Sequence, residues 1–259
     1  MPPRRTVRLA LAALAALGTA CAAAGRVHPR AAEEVARGYA HLEAGDRERP
    51  EVAFRHALAF APDLPEALNG LGVVERRRGR IGAAQRRYAQ ALEASPDFAE
   101  AQVNTGEALA AGGWGEAADE RFAAALAVDP DLAVARLDRA RALLHRGLAA
   151  AGAERAALWA RARREYLHLL ESQPGRPEAF HDLAFMDYLS GDAARAERAY
   201  LRAAELRPGW PEALHGLCIS RVRLGRCAEG AEACRRCLAA APGNAQCSQS
   251  LRGALGCAR

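Results

Sequence analysis

Small and apolar residues return along this chain in a fixed order, one set every 34 positions. After Pro65 the set reads Leu71-Gly72, Ala84, Tyr88, Ala91 and Pro96. After Ala99 it reads Gly106, Ala118, Phe122, Ala125 and Pro130, and after Pro177 it reads Ala184, Ala196, Tyr200, Ala203 and Pro208. Six prolines mark the steps: Pro62, Pro96, Pro130, Pro174, Pro208 and Pro242, at intervals of 34, 34, 44, 34 and 34 residues. The small residues let two antiparallel helices approach closely, and the ring fills the space beside them. A period of this length is that of helix–turn–helix units stacked into a solenoid.

With each proline of the ladder at position 32, the units run 31–64, 65–98, 99–132, 133–176, 177–210 and 211–244, followed by a closing helix over 245–259. The first unit matches at Gly38, Phe54, Ala57 and Pro62 but carries Pro50 at position 20, where a small residue is expected. Pro65, Pro177 and Pro211 suit the first helical position, where a missing N–H costs nothing. Asp63, Asp97 and Asp131 stand just upstream as N-cap candidates. Glu66, Glu100, Glu178 and Glu212 fall in first turns, where negative charge suits the helix dipole. Residues 31–244 closely resemble the tetratricopeptide repeat (TPR) family. The resemblance implies an all-α fold, a right-handed TPR superhelix (α-solenoid) of six repeats plus a C-terminal capping helix.

Composition agrees with helix. Of 259 residues, 51% are hydrophobic but only 5% aromatic, and alanine and leucine dominate, both good helix formers. All 36 basic residues are arginine, and the formal net charge is +5. Loss of the segment carrying Arg4, Arg5 and Arg8 would leave +2. The run Glu75-Arg76-Arg77-Arg78-Gly79-Arg80 has no interleaved aromatics and reads as a solvated helix end, so no nucleic-acid partner is expected.

Residues 1–20 have the layout of a secretory signal peptide: Arg4, Arg5 and Arg8, then the apolar run Leu9 to Leu17, too short to span a membrane stably. Leu17-Gly18-Thr19-Ala20-Cys21 resembles a bacterial lipobox, which implies cleavage before Cys21 and acylation (palmitate among the chains) of its sulfur. Two or three acyl chains, at about 0.8 kcal/mol per buried methylene, anchor a protein to a membrane. Residues 21–30 would be the lipidated tether. Ala22, rather than Asp, follows the cysteine, and resemblance to bacterial sorting rules then implies a periplasm-facing location on the outer membrane.

Two units depart from the pattern. The fourth is ten residues too long, running through Gly147 to Gly152 before Ala162, Tyr166 and Pro174 restore the phase. Its alanine-rich sequence predicts longer helices with a turn near Gly152, forming a projecting ridge or a merely tolerated insertion. The sixth unit places cysteine at core positions: Cys218, Cys227, Cys234 and Cys237, with Cys247 and Cys257 in the closing helix. Six cysteines in an exported chain read as disulfides. One antiparallel register brings Cys237 to Cys247 and Cys227 to Cys257, leaving Cys218 opposite Cys234. The alternative, Cys234-Arg-Arg-Cys237 as a redox or zinc motif, fits poorly inside a helix.

By resemblance to TPR stacks, positions 2, 5, 9, 12 and 13 of each first helix line a concave face. Here that set includes Val35, Tyr39, Leu42, Val73, Val103, Leu137, Leu144, His181, Phe185, Tyr188, Leu189, His215, Ile219 and Val222. An exposed apolar stripe of this kind is a partner surface, such as a helix-in-groove site. Alternatively, many of these residues pack against neighbouring helices. His181-Asp182 reads as a surface pair. No HExxH, nucleophile elbow or phosphate loop occurs, so neither catalysis nor a cofactor or metal is expected. Six repeats, a lipobox and a cysteine-rich last repeat together resemble the type IV pilus pilotins, the Tgl family among them. That resemblance implies an outer-membrane lipoprotein, monomeric when unbound, that assists secretin subunits to assemble. The other reading is a periplasmic scaffold for peptidoglycan synthesis or polysaccharide export.

Overall fold

The computed structural model describes residues 28–257. The signal segment, Cys21 and most of the tether lie outside the described residues. Thirteen helices and no strand occur among them: α1 (Pro29–Glu43), α2 (Arg49–Phe60), α3 (Pro65–Arg77), α4 (Ile81–Ala94), α5 (Ala99–Ala111), α6 (Gly115–Val128), α7 (Ala133–Ala149), α8 (Gly152–Ser172), α9 (Pro177–Leu189), α10 (Ala193–Leu206), α11 (Pro211–Arg223), α12 (Cys227–Ala240) and α13 (Ala245–Cys257). None is long and apolar enough to cross a membrane. The fold is an α-solenoid of helix–turn–helix repeats. Five of its first helices start at the residue that opens the repeat by the proline count. Helix α1 instead starts at Pro29, so Pro29 and Arg30 are helical rather than part of the tether.

The described chain forms two compact units, one ending at Ala135 and the other beginning at Arg136. In the first, each helix packs on the next from α1 to α6, and α3 also touches α1 and α5. In the second, the same pairing runs from α8 to α13, with α11 also meeting α9 and α13. Alanine and leucine fill the core of each unit, and glycine–ring contacts set its closest approaches. A Cβ on Gly38 would lie 2.6 Å from the Phe54 ring, and one on Gly106 would lie 2.7 Å from Phe122. Gly72 against Tyr88 and Gly216 against Tyr200 are equally tight. Phe54 and Tyr88 are fully buried, as are Phe122 and Tyr200 but for a percent or two. Pro50 is also buried; as the second residue of α2 it replaces no internal helix bond.

The N-caps differ from the sequence expectation. The capping residues of α3 and α5 are Leu64 and Phe98, without side-chain bonds, so Asp63 and Asp97 stand one position too early. Leu64 is buried, and seating an apolar side chain there takes precedence over a polar cap. Asp192, by contrast, caps α10 by accepting from the Arg195 N–H at 2.9 Å.

The long fourth repeat is helical throughout: α7 has 17 residues and α8 has 21, against 12–15 in the other helices. Gly152 supplies the turn, at φ 54°, a conformation costly for other residues. Side chains fasten the extension. Arg155 Nε donates to the Gly147 and Ala150 carbonyls at 3.0 and 2.9 Å. The Arg155 guanidinium lies 5.6 Å from the Trp159 ring centre, and Trp159 Nε1 donates to the Leu144 carbonyl.

The six cysteines pair as Cys218–Cys234, Cys227–Cys257 and Cys237–Cys247, with Cα separations of 5.4, 5.8 and 6.3 Å, inside the range a disulfide spans. Cys218 and Cys234 pack with Ala184, Tyr200 and Leu217. Cys237 and Cys247 pack with Ala203, Ala213 and Leu214. The bridges thus tie α11 to α12 and α12 to α13.

Candidate protein-binding surface

The residues expected on the binding face separate into two groups. Val35, Leu42, Val73 and Val103 in the first unit, and Leu137 and Leu144 in the second, are buried. They are core rather than surface, which corrects the expectation of one exposed apolar stripe. The cause is close packing: glycine and alanine at helix contacts draw successive first helices together until aliphatic side chains at these positions are enclosed.

In the first unit, polar groups mark the first-helix face. Asn104 Nδ2 donates to Asn69 Oδ1 at 2.9 Å, Asn69 Nδ2 donates to the Tyr39 hydroxyl at 3.2 Å, and that hydroxyl donates to the Glu66 carbonyl at 3.2 Å. The ladder joins α1, α3 and α5. Buried amides must be bonded, and here each satisfies the next. Glu66 Oε2 is buried without a partner. Burial, with a smaller push from Glu66, raises the Glu100 carboxyl above the usual carboxylate range. Sequence reasoning missed this ladder because Asn69 is at position 5 of its repeat and Asn104 at position 6, so phase matching does not align them.

In the second unit the face is aromatic and half open. His181, Phe185, Tyr188, His215, Ile219 and Val222 are partly buried, and Leu189 is 45% exposed. Helix α9 supplies the first three and Leu189; α11 supplies the rest. Arg223 lies 5.2 Å from the Tyr188 ring centre and donates to the Tyr188 carbonyl at 3.1 Å, fixing the end of α9 against α11. Burial lowers the His215 imidazole below its ordinary pKa, and its Nε2 is 3.0 Å from Ser250 Oγ. His215 therefore joins α11 to α13 as well as edging the face.

His181 and Asp182 are not a surface pair. The His181 ring packs against Tyr200 and Trp210, at 5.6 and 4.8 Å between ring centres. Asp182 accepts from Arg141 Nε at 2.9 Å and from the Tyr166 hydroxyl at 3.1 Å, with His181 Nδ1 at 2.9 Å. Burial alone would raise the Asp182 carboxyl, but the His181 bond and the Arg141 charge outweigh it and hold it below the usual range. Arg221 and Arg226 likewise converge on Glu197. These networks fasten helices together, and beside them the aromatic edge keeps apolar area open, as at Leu189.

No family model matches the chain, and no curated protein matches it in sequence. Solved structures match the fold. PilW, described as a widely conserved type IV pilus biogenesis factor, aligns at TM-score 0.74 and 20% identity, covering 86% of this chain and 99% of that one. PilF of Pseudomonas aeruginosa aligns at 0.71 and 19%, covering 86% and 97%. YrrB, described as a TPR protein with an unusual peptide-binding site, aligns at 0.55 and 18%, covering 71% and 90%.

Proposed function

We propose that this chain is an outer-membrane TPR lipoprotein that binds a protein partner through the α9–α11 face and acts as a pilotin-like factor in type IV pilus secretin assembly. The observation that carries the reading is the match to PilW and PilF over nearly their whole lengths, with one repeat array aligned to another. The lipobox at Cys21 supports it by supplying an anchor on the membrane where a secretin assembles. The half-open row of Phe185, Tyr188, Leu189, Ile219 and Val222 supports a helix-in-groove contact, since apolar anchors spaced along one face are what such a contact uses.

Deletion of the gene, followed by electrophoresis of undissociated secretin, tests the role. Multimers vanish in the deletion strain, return with the wild-type gene, and return poorly with Leu189→Arg, a change at an exposed side chain. Normal multimers and normal pili in the deletion strain reject the proposal. Recovery of peptidoglycan-synthesis or polysaccharide-export proteins, and no secretin, in a pulldown from solubilised envelopes assigns the scaffold to that other complex.

A further inference from the structure

The chain contains three tryptophans, and two are covered by its own arginines. Arg155 lies 5.6 Å from the Trp159 ring centre and Arg207 lies 4.5 Å from that of Trp210. Arg207 also pairs with the Glu178 carboxylate, so one guanidinium is held between an indole face and an acid. Trp114, at the turn between α5 and α6, is the most exposed large apolar side chain among the described residues, at 67%. No arginine among the described residues covers it. It lines a shallow pocket with Gly113, Gly115, Glu116, Ala117 and Glu120.

Glu116 and Glu120 are exposed, one helical turn apart, and no described residue pairs with either. Gly113, just before Trp114, is exposed and has open space where a Cβ would stand, so no side chain there shields the ring. An indole face attracts a cation, arginine most often, and a nearby carboxylate adds direction to the contact. At Trp210 the chain supplies indole, acid and guanidinium itself; at Trp114 only the guanidinium is missing.

We infer that Trp114, Glu116 and Glu120 form a docking pocket for an arginine side chain on a basic segment of a partner protein. The pocket belongs to the first unit and uses none of the residues of the α9–α11 face. A partner could therefore engage it whether or not the function proposed above holds.

Fluorine NMR of the full chain in mild detergent, labelled with 5-fluorotryptophan, tests this with three signals assigned by single Trp→Phe variants. The probe is the peptide acetyl-Gly-Arg-Gly-Arg-Gly-amide; its citrulline counterpart keeps the shape and removes the charge. The arginine peptide shifts the Trp114 signal saturably and the citrulline peptide does not. Glu116→Gln with Glu120→Gln weakens the apparent affinity by about two- to fivefold. Equal shifts with both peptides, or no shift up to the solubility limit, overturn the proposal. A Trp114 signal that moves on dilution of the protein alone, and not with peptide, also overturns it, because the occupant is then a second copy of this chain.

Discussion

Gly106→Ala isolates the contact on which the repeat is built. In a helix, alanine is favoured over glycine by about 0.5–1 kcal/mol, because glycine loses more backbone entropy on folding. At position 106 the added Cβ meets the Phe122 ring at 2.7 Å, closer than carbon atoms approach. Phe122 is only 1% exposed, so the ring cannot swing away without disturbing its surroundings, and overpacking of this kind costs about 1–3 kcal/mol. Gly82→Ala is the control. It lies in the same unit, in the first turn of α4, where the nearest atom is the mobile end of Arg86 at 3.9 Å. The backbone gain is larger at position 106, inside α5, than in the first turn at position 82 and offsets part of the clash, so Gly106→Ala is less stable than Gly82→Ala by about 0.5–2 kcal/mol. Urea unfolding followed by circular dichroism measures the gap. Adding Phe122→Leu to Gly106→Ala narrows it by trimming the ring that the new methyl strikes, so the double variant loses less than the two single losses added together. Equal stability of Gly106→Ala and Gly82→Ala would refute the claim that glycine–ring contact sets the helix spacing.

Asp182→Asn removes the charge on which Arg141, Tyr166 and His181 converge, and its cost is about 1–3 kcal/mol near neutral pH, below the range for fully buried pairs because Arg141 is partly exposed. The folded state depresses the Asp182 pKa, so its stabilisation is fully present above the unfolded value of about 3.9 and is lost as pH falls through the lower folded value. Wild type and variant unfolding curves therefore converge in acid; a gap independent of pH would show that the carboxylate charge does not act. Among the disulfides, Cys257 is exposed while Cys218, Cys234, Cys237 and Cys247 are fully buried. Graded reduction with alkylation and peptide mass mapping labels Cys227 and Cys257 first, and simultaneous labelling of all six would contradict that order. Loss of this bridge, which joins residues 30 apart, costs about 3–4 kcal/mol by loop-closure entropy.

The repeat phase is readable in the sequence because its core contact has a fixed offset. Phe54 presses on Gly38, sixteen residues before it, and on Gly70, sixteen residues after it. The first contact lies within a repeat and the second reaches the next one, so one spacing serves both kinds of packing. Periodicity therefore reveals helix pairing and repeat order together. The enlarged fourth repeat is legible for a related reason: alanine-rich sequence between two phase-keeping blocks has nowhere to go but longer helices.

Exposure is not legible in the same way. Positions 5 and 9 carry Val35 and Tyr39 in the first repeat, Asn69 and Val73 in the second, and His181 and Phe185 in the fifth, yet they range from buried to half open. Whether such a side chain is enclosed depends on the size of its neighbours on adjacent helices, which no single repeat contains. The ion pairs have the same origin: Arg226 and Glu197, like Arg207 and Glu178, are 29 residues apart, but the two pairs fall at different positions of their repeats. Trp114 shows the consequence for function. Its position in the repeat is held elsewhere by Arg80, Asp192 and Arg226, residues that bind their own chain. Replacing a self-binding polar residue with an open indole removes an internal tie and leaves a contact for another molecule to complete. Surfaces that distinguish one repeat protein from another are thus to be sought where a residue at a regular position has no partner within its own fold.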